Sequence, residues 1–129
     1  MWLNRVATAL LLLVGAVNLL PGFVAFAPSQ ITTAYGVSVD GPGSADLAML
    51  LRHRAVLLGL VGLSLICAAF IPSLRIPAVT AGAISMGSFL LLAYSTSGLN
   101  SATTRVARID IAATVLLAVA AVLIWRKNP

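Results

Sequence analysis

Few side chains in this chain can do chemistry, and several of them are neighbours. Arg52, His53 and Arg54 run in succession; Asp110 is one of three acids, with Asp40 and Asp46. An arginine fork opening an apolar run suits bidentate contact with a carboxylate or phosphate. His53, the single histidine, could carry protons near neutral pH; its plainer role is that of an interfacial polar residue. Arg105 and Arg108 are suited to lipid head-group contact, or to simple anchoring at the membrane surface. No nucleophile–base spacing is visible, and one His with one Cys cannot build a zinc site. No catalytic residue, metal or cofactor is therefore expected. Cys67 lies mid-block in apolar sequence and reads as a packing residue.

The elements that must position these residues are four apolar blocks, at 6–26, 47–71, 76–94 and 109–125. At about 1.5 Å rise per residue, ~20 helical residues cross the ~30 Å of bilayer hydrocarbon. The 129 residues are 60% hydrophobic and only 9% charged, where a soluble domain carries roughly a quarter charged residues. The expectation is an all-α, integral membrane, antiparallel four-helix bundle forming one domain over 1–129. Net charge is +5, but there is no basic run with interleaved aromatics, so nucleic acid is not an expected partner. Arg and Lys at span ends orient helices instead.

Four spans put both termini on one side, with Arg5, Arg75, Arg126 and Lys127 there. The other side holds Arg52, Arg54, Arg105 and Arg108 together with every acid. Direct flanking by the terminal cations favours cytoplasmic termini. Ala25-Phe26-Ala27 imitates a signal-peptidase site, but the apolar run is long and Pro28 follows, so a retained first span is expected. The loop 27–46 can hold a short interfacial helix from Ser29 to Tyr35, capped by Ser29 and stopped by Gly36. Ser44 or Asp46 is the expected cap of the second span, and Ser101 or Thr103 of the fourth. Pro21-Gly22 is placed to kink the first span or loosen its outer end. Gly59 and Gly62 read as packing residues, marking a close helix contact or a homodimer seam. Trp2, Tyr94 and Trp125 fall at span boundaries, where aromatic belts form.

Depth along the helices gathers a polar set. Asn18, Arg54 and Asp110 each fall roughly 10 Å from the outer boundary. Asp110 shares no face with Arg105 or Arg108, so a cross-helix pair with Arg54 or Arg52 is expected, with Asn18 adding hydrogen bonds. The functional reading of Arg54, Asp110, Asn18, Arg52 and His53 is an outer-leaflet pocket for an anionic head group. The plainer reading is an ion pair that fixes helix register.

Asn18-Leu19-Leu20-Pro21, the run from Leu51-Arg52-His53-Arg54 to Gly59, and Asp110 together make the chain resemble small four-span bacterial membrane proteins of the DoxX type. The resemblance implies a four-span fold in the bacterial cytoplasmic membrane and carries no activity across. Chains of this look are sometimes labelled phosphopantetheine adenylyltransferase. That chemistry needs a soluble α/β nucleotide fold and paired histidines, which are lacking here. Three functions remain open: a binding or accessory protein holding an anionic amphiphile such as a lipid, an oligomeric small-solute or proton-coupled transporter, and a subunit stabilising a larger membrane complex. Membrane lipids are the expected partners, with a homo-oligomer or a larger complex as the protein partnership. The inner halves of the spans hold little polar beyond Ser85 and Ser88, which favours binding over conduction.

Overall fold

A computed structural model describes residues 2–27, 29–38 and 40–127. The first apolar block forms α1 (Trp2–Leu19) and continues as a 3-10 segment, Leu20–Ala25. Pro21 lacks the N–H that a further α-helical turn needs and restricts Leu20 before it, so the α-helix ends there. A short α2 (Gln30–Tyr35) follows, then α3 (Ser44–Phe70), a 3-10 turn (Pro72–Leu74), α4 (Arg75–Ser95) and α5 (Ser101–Lys127). Among the described residues, four helical stretches are long and apolar enough to cross a membrane. The chain is an all-helical bundle, as its composition implies, and its four long helices mark a multi-pass membrane protein.

The helices form a square in which α1 packs on α3 and α5, and α4 packs on α3 and α5. Its interior is made of small residues around a few large ones. Leu11, Val14, Leu65, Met86 and Leu117 are fully buried, among Ala7, Ala68, Ala78, Ala113 and Ala120. The bulky residues point outward instead: Leu13, Leu60, Leu63, Ile84, Leu91 and Val119 are all exposed. Such an inversion suits lipid, where close helix packing rather than apolar burial drives association. At the tightest crossing α1 meets α3 backbone to backbone. A Cβ on Gly62 would lie 2.6 Å from the Gly15 carbonyl oxygen and 2.7 Å from the Leu19 nitrogen. Gly22 and Gly59 extend this seam. These glycines thus mark a contact between two helices of one chain.

Several helix ends differ from expectation. Each long helix begins before its apolar block, most of all α5, which starts at Ser101, beside the cap candidates, where the block starts at 109. Thr103, Thr104, Arg105 and Arg108 continue its helical turns beyond the hydrophobic part. Its cap is Asn100, whose side-chain oxygen accepts the Thr103 N–H at 2.8 Å, the geometry of an N-cap. Neither Ser44 nor Asp46 caps α3; Gly43 holds that place at φ 77°, and the Ser44 hydroxyl donates to the Gly41 carbonyl. Gly36 does stop α2, at φ 63°, but Ser29 makes no capping bond. Nor does α2 merely lie on the surface. Ile31 is fully buried and Tyr35 is 8% exposed, packed with Ala55 and beside Leu51 and Val106. This short helix plugs the end of the bundle where α3 and α5 begin.

Candidate functional site

Arg54 sits about ten residues into α3, half-buried beneath the α2 plug. Its Nη1 donates to the Tyr35 hydroxyl. Its guanidinium carbon lies 4.7 Å from the Phe89 ring centroid and 5.4 Å from that of Tyr35. Because the hydrogen bond holds the guanidinium at the polar end of the Tyr35 ring, the ring-face attraction that counts is that of Phe89. Three helices thus converge on one cation: α3 supplies it, α2 the hydroxyl, α4 the aromatic face.

Tyr35 is held in turn from α5. The Asn100 Nδ2 donates to the Tyr35 carbonyl at 2.8 Å and to the Gly36 carbonyl at 3.3 Å. The Thr103 hydroxyl donates to the Tyr35 carbonyl at 3.4 Å. One asparagine therefore caps the start of α5 and closes the end of α2, where helix carbonyls lack partners. Gly36 belongs to this clamp, since a Cβ there would come 3.1 Å from the Asn100 Nδ2.

Asp110 is half-buried on α5, and the Arg54 charge reaches it through space. Among the described residues, however, the Arg54 hydrogen bond goes to Tyr35 and not to the Asp110 carboxylate. The Asp110 carbonyl accepts the Thr114 hydroxyl at 2.6 Å. Tyr35 stands where a carboxylate was expected beside Arg54. Asn18 does not join this group either. It is 4% exposed, and its Nδ2 donates to the Val14 carbonyl at 3.0 Å and to the Met86 sulfur at 3.5 Å. Its helical phase turns it into the core beside the Gly15–Gly62 crossing, more fully buried than Arg54. Arg52 and His53 are exposed and line a separate shallow groove of about 320 Å³ with Phe26, Met49 and Val56. Arg105 and Arg108 are exposed on α5.

Beside Arg54 a groove of about 220 Å³ opens between α3 and α4, walled by Leu57, Leu58, Phe89 and Leu92. Ser85 and Ser88 lie along it, and the Ser88 hydroxyl is turned back to the Ser85 carbonyl at 3.1 Å. The Arg54 fork carries five N–H donors, of which the described residues accept one. Among the described residues, no buried side-chain nitrogen or oxygen is left without a partner, so the remaining Arg54 nitrogens reach the molecular surface.

The opposite end of the bundle holds a second arginine that sequence reading treated as a turn cation. Arg75 is 8% exposed. It donates to the Ala68 and Ala69 carbonyls at 3.2 and 3.4 Å, to the Asn4 Oδ1 at 2.8 Å and to the Thr8 hydroxyl at 3.4 Å. Its charge meets the free carbonyls that end α3, where a cation is favoured. A cation set among Ile76, Pro77 and Leu74 was the available signal. For Tyr35, it was a lone phenol one residue before a helix-stopping glycine.

Among the described residues, no three His, Cys, Asp or Glu side chains gather as a metal site. Comparison with protein-family models, curated proteins and solved structures gives no match.

Proposed function

We propose that this is a small membrane protein of binding type, which holds an anionic amphiphile with its head group at Arg54 and its tail in the α3–α4 groove. The observation that carries the reading is the Arg54 fork, most of whose donors have no acceptor among the described residues and which borders an apolar groove. A cation at this depth is costly in lipid unless something pairs it, and the Asp110 carboxylate stops short of doing so. An anionic head group supplies the missing acceptors. Transport is disfavoured by the layer of Leu11, Val14, Leu65, Met86 and Leu117, each at most 1% exposed, between the Arg54 and Arg75 ends.

The same proposal places the chain in the bacterial cytoplasmic membrane, with kinship to the DoxX-type proteins and with its termini in the cytoplasm. Support for the orientation comes from Arg5 and Arg126, which flank their spans directly at the terminal end. Native mass spectrometry from mild detergent tests the binding reading. Wild type is expected to retain anionic lipid adducts that a folded Arg54→Gln variant has lost. Identical adducts in both, or none in either, would leave Arg54 as a structural cation only.

A further inference from the structure

The chemistry around Arg54 narrows the class of ligand, on the premise that Arg54 holds an anion at all. We infer that the Arg54 site takes a single-chain carboxylate, a fatty-acid-like molecule, gripped jointly by the Arg54 fork and the Tyr35 hydroxyl.

The donors come first. Tyr35 accepts from Arg54, so the phenolic proton is turned elsewhere, and no described residue takes it. Guanidinium N–H and phenol O–H donors therefore stand side by side. A carboxylate has two oxygens in one plane and can meet both at once. Phe89 lies against the guanidinium at 4.7 Å, so the approach left is along the N–H edge, which suits a planar acceptor.

Charge is the second argument. Arg54 is one formal cation. A monoanion matches it one for one, whereas a phosphomonoester brings nearly two negative charges.

Shape is the third. The groove offers about 220 Å³, roughly the share of seven water molecules at ~30 Å³ each. That suits a segment of one chain against Leu57, Leu58 and Leu92. A glycerophospholipid brings two chains and a glycerol, of which a groove of this size would seat one chain and leave the other outside. The Ser88 hydroxyl is satisfied by its own helix, so it asks nothing polar of the chain that passes it.

The test uses the full chain in maltoside micelles with cis-parinarate, a fluorescent polyene fatty acid, as the probe. Oleate, oleyl alcohol and dioleoyl phosphatidylglycerol compete for it. Saturable binding is expected, displaced by oleate at least ~10-fold more effectively than by the other two. Tyr35→Phe keeps the ring and loses the hydroxyl; it should weaken parinarate by about tenfold, the value of one hydrogen bond to a charged group. Arg54→Lys keeps the charge without the fork and should lose the preference for oleate even if Tyr35→Phe proves unstable. Phosphatidylglycerol competing as well as oleate would overturn the single-chain inference and leave the anionic-amphiphile reading standing. Oleyl alcohol competing as well as oleate would overturn both. If parinarate fails to bind while anionic phospholipid adducts persist in native mass spectra, this inference alone fails.

Discussion

Arg54 and Arg75 belong to the same bundle, but their guanidiniums meet different surroundings. Arg75 makes four hydrogen bonds, two of them to carbonyls that end α3 and two to side chains of α1. Arg54 makes one, to a phenol, and rests on an aromatic face. The first arrangement is that of a fastener, the second that of a receptor. Arg75→Ala strands buried carbonyls together with Asn4, so a loss of at least ~2 kcal/mol is expected. It should appear as a large drop in melting temperature in detergent. Arg75→Lys should recover less than half of that loss, because an ammonium on a flexible stem cannot span four acceptors. Full recovery by lysine would show that only the charge matters there. Neither fate was readable from type and position. Both arginines were visible as cations near span ends, but the partners Asn4, Thr8 and Tyr35 come from elements far away along the chain.

The helices as elements were largely legible, because about 20 apolar residues admit few alternatives in lipid. Their ends were not. The start of α5 was marked by its cap candidates Ser101 and Thr103 and not by hydropathy, because Ser101 to Arg108 is largely polar, and the residue that caps it is Asn100. Asn18 was grouped with Arg54 on helical rise alone, whereas its contacts follow from phase against α3 and α4, which one helix cannot reveal. The glycines of the α1–α3 seam were legible as small residues, and the structure supplies their partners. Gly62→Ala would drive a Cβ to within 2.6 Å of a carbonyl. Backbone cannot rotate aside as a side chain can, so a cost of about 1–3 kcal/mol is expected. Gly87→Ala is the control, since a Cβ there meets nothing within 4 Å. Helix propensity then favours alanine by up to ~1 kcal/mol. Thermal melts of the two variants should move in opposite directions. A stable Gly62→Ala would mean the two helices can part without loss.

For the whole molecule, the orientation in the bilayer is the testable quantity. The α3–α4 turn and the α4–α5 loop lie at opposite ends of the square, and Ser73 and Ser97 are exposed at them. In a Cys67→Ala background, single cysteines at these two positions report the two sides. A membrane-impermeant maleimide is expected to label Ser97→Cys on intact cells, and Ser73→Cys only after permeabilisation. The reverse pattern would put the termini outside. Charge counting alone was nearly balanced between the ends. In the structure Arg5 and Arg126 are exposed at the terminal end and Arg75 is buried there, while Arg52, Arg105 and Arg108 are exposed at the other, so the labelling pattern rather than charge decides the orientation.

The Arg75 fastener also bears on the order in which the chain can be assembled. A nascent α3–α4 hairpin can satisfy part of that guanidinium by itself, through Ala68 and Ala69 next door in sequence. The other acceptors, Asn4 and Thr8, are made some seventy residues earlier. They must wait in the membrane until the hairpin arrives. An inserted hairpin that has not yet docked therefore carries an incompletely satisfied cation, and α1 is the element that completes it. Docking of the second half onto the first is thereby built in as a checkpoint, one that a misinserted first helix would fail.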